Sequence, residues 1–169
     1  MPLPGWHLRP WRRGDEPALV RHANNPKVAA FLRDSFPHPY TPQDARTWVD
    51  HCQEQDPARE FAIVAPEGAV GSVGLITFED IHRCGAEIGY WLAEPYWGRG
   101  IAAAAVIALS EWAFSRLGLA RLQAGVIEGN TASTRVLEKA GYTLEARLRR
   151  AVIKRGEIRD LLLYARVRE

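Results

Sequence analysis

The segment Glu94-Pro-Tyr-Trp-Gly-Arg-Gly-Ile-Ala-Ala-Ala-Ala105 joins a strand-like run, Ala86 to Leu92, to an apolar helix pattern. Gly98 and Gly100 allow the backbone to turn tightly at this junction. The helix that follows begins without Ser, Thr, Asp or Asn at the usual capping position, so its first amide N–H groups have no side-chain acceptor. Those donors and the positive end of the helix dipole favour a bound phosphate. The junction therefore predicts a cradle for a phosphate-bearing cofactor.

The chain has 169 residues, a length that predicts a single domain over residues 1–169. Its composition, 47% apolar and 25% charged, argues against extensive disorder. The net charge of +2 gives no general basic field, so nucleic acid is not expected as the main partner. Positive charge does concentrate late in the chain, at Arg147, Arg149, Arg150, Lys154, Arg155, Arg159, Arg166 and Arg168. Alternation with apolar residues favours a solvated strand face, and an RNA-binding surface is the alternative.

Two cysteines, Cys52 and Cys84, are too few for a disulfide framework, and with the histidines they show no zinc-ligand spacing. We therefore expect free thiols in a reducing compartment and no metal site. The N-terminus lacks a basic segment followed by an apolar one, and no apolar stretch approaches the length of about 18 residues that a membrane span needs. These features predict a cytoplasmic protein without a membrane partner.

The first part of the chain predicts a strand, two helices and an ordered loop. Trp6 to Trp11 alternates weakly and indicates a strand, and a short helix is expected to start near Gly14-Asp15. Phe31 to Tyr40, with its prolines and aromatics, predicts an ordered loop or broken helix. Thr41-Pro-Gln-Asp44 combines a cap, a proline at the first helical position and an acid at the third. The helix that it opens carries Ala45, Trp48, Val49 and Cys52 on one face.

The rest of the chain alternates strands with two helices. Strand-like runs are expected at Phe61–Ala65, Ser72–Phe78, Ala86–Leu92, Arg121–Ile127, Tyr142–Ile153 and Ile158–Val167. Hairpin turns are expected at Pro66–Gly71 and Lys154–Gly156. One helix runs from Ile101 to Leu117-Gly118, and a second is capped by Asn130 and ends at Gly141. The element order predicts an α+β fold with a central mixed sheet covered by helices.

Three motifs carry a family resemblance. They are Ala86-Glu-Ile-Gly-Tyr-Trp-Leu92, Trp97-Gly-Arg-Gly-Ile-Ala102, and Asn130-Thr-Ala-Ser-Thr-Arg-Val-Leu-Glu-Lys-Ala-Gly-Tyr142. Together with the element order they resemble the GNAT superfamily of acetyl-CoA-dependent N-acyltransferases, in its RimJ/RimL-like ribosomal-protein branch. Leu8-Arg-Pro10 and Pro39 to Arg46 look like the opening segments of that branch. The resemblance implies the GNAT fold: α/β/α layers with a mixed, mostly antiparallel sheet of about seven strands and about four helices.

The glycine motif alone is a weak signal, because many tight turns contain Gly-x-Gly. Its position between the strand and the helix, with the Asn130 motif about 30 residues later, is far more specific. Trp97 departs from the Arg or Gln that opens the superfamily signature, a change that a cradle made of backbone amides should tolerate. A dinucleotide-binding fingerprint is the alternative. It requires three glycines early in a βαβ unit and an acid about 20 residues later, whereas this junction lies in the middle of the chain.

The resemblance implies acetyl-CoA as the cofactor, with coenzyme A as product. It places backbone amides around Tyr90 to Leu92 on the pantetheine arm and the acetyl carbonyl, and Asn130 on the amide arm. The residues expected to bind the coenzyme are Tyr90, Trp91, Leu92, Trp97, Gly98, Arg99, Gly100, Ile101, Ala102, Ala103, Asn130, Arg135 and Lys139. The basic side chains among them are candidates for phosphate contacts, and solvated positions are the alternative.

Amine acetylation needs a neutral amine. Deprotonation at pH 7 costs roughly 4.6 kcal/mol for a lysine-like amine of pKa about 10.4, but only about 1 kcal/mol for an α-amine of pKa about 7.8. Glu87 matches the strand glutamate that many relatives use as a base, directly or through water, and a structural ion pair is the alternative. Many relatives use a helix tyrosine as the acid where this chain has Leu137. Ser133, one turn earlier, matches the serine proposed for the ribosomal branch, either as acid or as a contact to the coenzyme sulfur.

The acceptor side is expected to involve the N-terminal helices and the aromatic loop, with Phe36, His38, Tyr40 and Trp48 as candidates. Asp34, Asp44, Asp50 and Glu54 could form an acidic pocket for polyamines, although helix acids more often face solvent. The sequence therefore predicts an N-acetyltransferase that transfers an acetyl group directly, in a ternary complex, to a protein N-terminal α-amine or a small-molecule amine. A non-catalytic coenzyme A-binding sensor or scaffold is the alternative. A homodimer is also expected.

Overall fold

The structure is a computed structural model that describes residues 2–3 and 5–168. Over these residues it contains eight strands: β1 (Pro2–Leu3), β2 (Trp6–Pro10), β3 (Glu60–Ala65), β4 (Gly68–Thr77), β5 (Gly85–Leu92), β6 (Arg121–Ile127), β7 (Thr143–Lys154) and β8 (Glu157–Val167). The α-helices are α1 (Glu16–Ala23), α2 (Pro26–Ala29), α3 (Pro42–Gln53), α4 (Ile101–Arg116) and α5 (Thr131–Lys139). Short 3₁₀ turns occupy Asp80–His82 and Glu94–Tyr96.

The strands form a mixed sheet in the order β1-β2-β3-β4-β5-β6-β8-β7. Strand β5 pairs in parallel with β6, and the pairs β1·β2, β2·β3, β3·β4, β6·β8 and β7·β8 are antiparallel. The predicted α+β class with a mixed, mostly antiparallel sheet is confirmed. Besides the seven expected strands, the structure contains an eighth, the two-residue β1. The expected number of about four helices omitted α2, a single turn capped by the Asn25 side chain.

The predicted turn between β3 and β4 is wrong in length. The sequence indicated a turn over Pro66–Gly71, but β4 already begins at Gly68, and Gly71 lies inside the strand. A Cβ at Gly71 would lie 2.5 Å from the carbonyl oxygen of Trp91 on β5. This glycine is therefore needed for the close approach of a neighbouring backbone, whereas the local sequence made it look like a turn residue.

The chain divides into two compact units. The first comprises the residues up to Gly74 together with Tyr90–Ala105, and the second comprises Leu75–Gly89 together with the residues from Val106 onward. Elements β4, β5 and α4 each contribute residues to both units. The single domain over residues 1–169 stays a prediction.

The first unit has a core between its helices and one sheet face. This core contains Trp11, Leu19, Ala23, Tyr40, Ala45, Val49, Cys52, Ala62, Val64 and Ala69. The capping box predicted for α3 is confirmed, because Thr41 accepts a hydrogen bond from the Asp44 amide while the Asp44 side chain accepts one from the Thr41 amide. Proline at the first helical position then fixes where α3 starts. Its Val49 and Ala45 are fully buried as a result.

The second unit buries apolar side chains from α4, β6, α5 and the final strands, among them Leu109, Leu122 and Leu137. Two polar side chains are buried with them and satisfy each other, since the hydroxyls of Ser110 and Tyr142 are hydrogen bonded at 2.8 Å. Burial raises the pKa of the Tyr142 hydroxyl to about 12, so the group is neutral at physiological pH.

Both cysteines are free thiols, as the sequence indicated, with Cys52 buried and Cys84 exposed. Among the helices of the described residues, none is long and apolar enough to cross a membrane. In the same part of the chain, no group of three His, Cys, Asp or Glu side chains is arranged to hold a metal ion.

Candidate functional site

The glycine junction forms an open backbone surface at the start of α4. Gly98 and Gly100 have φ values of +75° and +76°, a region that residues with a Cβ rarely adopt. No atom would lie within 4 Å of a Cβ built at either position, so the backbone faces open space. The amide of Ala104 donates to the Gly100 carbonyl at 3.0 Å. The amides of Ile101 to Ala103 precede this bond and are the first-turn donors of the helix.

Two of these three first-turn residues have buried side chains. Ile101 and Ala103 are buried, whereas Ala102 is only partly buried. Their contribution to a cofactor would come from backbone N–H groups rather than from side chains. This arrangement suits a phosphate, which accepts hydrogen bonds and is favoured by the helix dipole.

Trp97 has a specific partner that the sequence did not predict. Its indole Nε1–H donates to the backbone carbonyl of Leu92 at 2.7 Å, and nearly half of the residue remains exposed, at 46%. The hydrogen bond ties the entrance of the glycine junction to the end of β5. The Trp97 side chain therefore braces the loop in the position where the signature has Arg or Gln.

Arg99 lies over the ring of Tyr96, with its guanidinium carbon 5.6 Å from the ring centroid. The Tyr96 hydroxyl donates to the Glu67 carboxylate, and this hydrogen bond holds the pKa of Glu67 below its usual value. The ring of Trp6 meets Tyr96 edge-on at 5.5 Å. Arg99 is thus placed by a cation–π contact next to the cradle.

An aromatic cluster lies in the same unit. Phe36 contacts Tyr40 at a ring-centroid distance of 5.2 Å and Trp91 at 5.8 Å. Tyr40 is buried, and burial raises the pKa of its hydroxyl, so it is neutral at physiological pH. Trp48 packs against the core of this unit, and its Nε1–H is buried without a hydrogen-bond partner within the described residues. Of the four residues predicted for the acceptor side, His38 is the exposed one.

The second unit contains the predicted catalytic side chains. Glu87 is partly buried on β5 and lies opposite Gln123 in the parallel pairing with β6, whose register covers Gly85 to Glu87. Asn130 caps α5, since its side-chain oxygen accepts a hydrogen bond from the Ser133 amide at 3.2 Å. Ser133 is partly buried, and Leu137, one turn later, is fully buried. Ser133 and Thr134 both carry hydroxyls on the face of Leu137, and the Thr134 hydroxyl donates to the Asn130 carbonyl at 3.4 Å.

Two predicted phosphate ligands, Arg135 and Lys139, lie on the exposed side of α5. Arginines of β6 and of the final hairpin are instead ion-paired. Arg121 forms two hydrogen bonds to Glu145, at 2.9 Å and 2.6 Å, and Arg147 pairs with both Glu128 and Asp160. These pairs agree with the interpretation of this region as a solvated strand face.

The acids proposed for an acceptor pocket are partly engaged elsewhere. Asp44 belongs to the capping box of α3, and Asp50 pairs with Arg13 at 3.4 Å. Asp34 and Glu54 are exposed. A different acid, Glu60, is partly buried at the start of β3, and it was not predicted as a site residue because the strand was expected to start at Phe61. The signal that could have found it is its period-two spacing with Ala62 and Val64.

The family follows from a match over most of the chain. The family model described as an acetyltransferase (GNAT) domain matches residues 6–143. The chain belongs to the GNAT acetyltransferase family. The prophage-derived uncharacterised N-acetyltransferase YokL of Bacillus subtilis strain 168 is 31% identical over 138 residues, which cover 80% of this chain and 76% of that protein. The ribosomal-protein-serine acetyltransferase of Escherichia coli K12 is 31% identical over 110 residues, or 65% of this chain and 61% of that protein.

A solved structure of Mycobacterium smegmatis RimJ in complex with a coenzyme A disulfide superposes with a TM-score of 0.83. It is 27% identical in sequence, and the match covers 96% of this chain and 81% of that one. The resemblance to GNAT enzymes of the RimJ/RimL-like branch is thereby confirmed, and so is the GNAT fold. The chain is an acyltransferase of the N-acetyltransferase class.

Proposed function

We propose that this GNAT-family enzyme transfers an acetyl group from acetyl-CoA directly to a primary amine, either a protein N-terminal α-amine or a small-molecule amine. The observation that carries the proposal is the open backbone surface at Gly98 and Gly100, where the chain takes positive φ values immediately before the first amides of α4. A pyrophosphate fits such a surface because it presents several acceptor oxygens and negative charge. The residues present therefore fit the coenzyme.

In this proposal the amides of Gly98 to Ala103 hold the pyrophosphate, and Arg99 adds positive charge from its place over Tyr96. The side chain of Asn130 hydrogen bonds the amide arm of the coenzyme while it caps α5. Arg135 and Lys139 contact phosphates from the exposed side of that helix. Trp97 contributes by fixing the loop rather than by touching phosphate, since its N–H is already bonded to Leu92.

When bound, acetyl-CoA supplies the acetyl thioester that an amine can attack. The carboxylate of Glu87 receives the proton of the acceptor ammonium, directly or through water. Backbone amides around Tyr90 to Leu92 donate hydrogen bonds to the acetyl carbonyl oxygen, where negative charge develops. Ser133 contacts the coenzyme sulfur and can pass a proton to it. The thiol's pKa of about 8.5 means that only modest acid assistance is needed.

Phe36, Tyr40, Trp48 and, from the loop edge, His38 form the acceptor side in this proposal. The aromatic contacts of Phe36 with Tyr40 and Trp91 provide an apolar wall for the alkyl part of an amine. A cytoplasmic location and a homodimer are part of the same proposal. The exposed Leu144 and Leu148 on the sheet-edge strand β7 are the apolar positions that such a dimer would cover.

The cradle is tested by adding one methyl group to it. Gly100→Ala places a Cβ in the open space above the loop, and we expect the KM for acetyl-CoA to rise about tenfold, the effect of losing one hydrogen bond to a charged group. Initial rates are read as free coenzyme A released with a panel of peptides and small amines. Gly118→Ala is the matched control, because Gly118 follows the other end of α4 with φ +65° and equally open space. Both variants lose about 1 kcal/mol of stability from the strained φ.

If the two variants have equal KM values for acetyl-CoA, the glycine junction does not bind the coenzyme. The alternative function, a coenzyme A-binding sensor or scaffold, predicts a different pattern. Acetyl-CoA would then bind to the wild type in calorimetry, but no acceptor in the panel would release coenzyme A.

A further inference from the structure

Glu60 occupies a distinctive place at the start of β3. It pairs across the sheet with Gly74 of β4, and a Cβ at Gly74 would lie only 1.8 Å from one of its carboxylate oxygens. The carboxylate therefore lies over the backbone of β4, in the volume that a side chain at residue 74 would fill. Because β4 lies between β3 and β5, the Glu60 side chain leans from its own strand toward β5. Only glycine at position 74 allows this orientation.

The sheet face on which Glu60 lies is the one that carries the aromatic cluster. By the two-residue period of a strand, Glu60 shares its face with Ala62 and Val64. Both belong to the core that includes Tyr40, and the partly buried Phe36, Trp48 and Trp91 pack against that core. Glu60 remains partly exposed at the end of this surface, so a ligand can reach its carboxylate.

The carboxylate has no partner to compensate for its burial. Among the described residues, no hydrogen bond or ion pair to the Glu60 side chain is present, and burial raises the pKa of this carboxyl to about 8. From α3, the titratable group that faces it is the Cys52 thiol, whose pKa is raised above its ordinary value by burial and by Glu60. One turn earlier on α3 is Trp48, with its unsatisfied buried N–H. Partial burial of a carboxyl without a hydrogen-bond partner costs stability, which makes a purely structural role a poor explanation.

We propose that Glu60 is the acceptor-binding carboxylate of this enzyme and that, beside the aromatic cluster, it pairs with an ammonium group of the substrate other than the amine that is acetylated. The inference rests on the proposed function and adds the chemistry of the acceptor. An alkyl ammonium supplies the cation and hydrogen-bond donors that Glu60 lacks. Its alkyl chain packs on Phe36 and Trp91. Arrival of the cation favours the ionised form of Glu60, so binding of the ammonium releases a proton from the protonated fraction.

The test uses two probes that carry a second ammonium group, spermidine and a short peptide with a free α-amine and one lysine, which separate the two sources of this chemistry. In Glu60→Gln the shape is kept and the charge is removed. We expect the KM of the accepted probe to rise about tenfold or more, with the KM for acetyl-CoA unchanged. Glu79→Gln, at an exposed carboxylate in the loop after β4, is the matched control and should leave both values unchanged.

A second variant, on β4, changes the position of the same carboxylate. In Gly74→Ala the new Cβ displaces the flexible end of Glu60, and the same rise in acceptor KM is expected. With wild type and spermidine, which stays cationic, the acceptor KM should fall as the pH rises through about 8, because more of Glu60 is ionised. Glu60→Gln should lose this pH dependence.

The outcomes separate this proposal from the proposed function. Turnover by the wild type with an acceptor KM that neither Glu60→Gln nor Gly74→Ala changes overturns the role of Glu60 and leaves the acetyltransferase intact. Calorimetry of both probes with the coenzyme A-bound wild type provides a readout that needs no turnover. If neither ammonium binds, the assignment of Glu60 is wrong whether or not acetyl-CoA is consumed.

Discussion

At the scale of single residues, the candidate site combines backbone groups with a few side chains whose roles depend on their chemistry. Trp97 shows how a departure from a family signature can be accommodated. Its indole N–H donates a hydrogen bond to the Leu92 carbonyl. This bond holds the loop before α4 in place, although the usual Arg or Gln is absent. Glu87 stands at the last position where β5 pairs with β6, and its role as a base stays a prediction.

The base role predicts an effect that depends on the acceptor. Glu87→Gln should lower kcat by roughly 10²-fold or more for an amine of pKa about 10.4, because deprotonation is then the difficult step. For a peptide α-amine of pKa about 7.8 the loss should be much smaller. Raising the pH from 7 to 9 should shrink both losses, since the free amine fraction increases. The measurement is kcat from coenzyme A release at each pH.

Glu138→Gln, at an exposed position on α5, serves as the control for this substitution. Ser133→Ala is the companion variant, and it should slow kcat without raising the acceptor KM. If Glu87→Gln lowers kcat by the same factor for both acceptors at every pH, Glu87 has a structural role and does not accept the proton.

At the scale of elements, helix ends were predictable because their signals are local. The α3 capping box and the Asn130 cap of α5 both appear where the sequence indicated. Strand β6 has the predicted bounds, whereas β4 starts four residues before its predicted start. The reason is Gly71, which the close approach of the Trp91 carbonyl requires and which no local pattern distinguishes from a turn glycine.

The capping box predicts a measurable loss of stability. Thr41→Ala removes the acceptor of the Asp44 amide, and we expect a loss of about 1 kcal/mol, equivalent to about 2–4 °C in Tm for a chain of this size. The Thr41 hydrogen bonds also hold the pKa of Asp44 below its usual value. The wild-type advantage should therefore be present above the unfolded pKa of Asp44 and decline as the pH falls through its folded pKa. Thermal unfolding followed by circular dichroism measures both effects.

Thr47→Ala is the control within the same helix. Thr47 is exposed, lies away from the helix start and accepts only a long 3.4 Å bond from Gln43. Alanine is a better helix former there, so this variant should be neutral or slightly more stable. A loss equal to that of Thr41→Ala would mean that the cap does not stabilise α3.

At the scale of the whole molecule, acidic groups have opposite effects on stability. Hydrogen bonds to arginine and backbone partners hold the pKa values of Glu145 and Asp160 low. Glu60 is the contrasting case, because burial without a partner raises its pKa. In the folded state it therefore binds a proton over a pH range in which the unfolded chain has already lost one.

This contrast predicts the pH dependence of unfolding. The favourable contribution of protonated Glu60 is fully present below its unfolded pKa of about 4.3, and it is lost as the pH rises through its folded pKa of about 8. Glu60→Gln lacks this dependence, so its stability relative to the wild type should increase steadily between pH 5 and 8 and then level off. Urea unfolding of the two proteins at matched pH values measures the difference. A constant difference across this range would contradict the raised pKa.

The sequence by itself determined the features that depend on local backbone physics: the glycine junction before α4, the caps of α3 and α5, and most strands. These follow from the φ freedom of glycine, the chemistry of first-turn amides and period-two alternation, all of which act within a few residues. The tertiary structure decided what depends on strands that are distant in sequence. Pairing of β3 with β4 puts the Glu60 carboxylate over Gly74, 14 positions later, and the turn after β5 brings the Trp97 indole to the Leu92 carbonyl. Such neighbours are created by the fold, and local sequence carries no record of them.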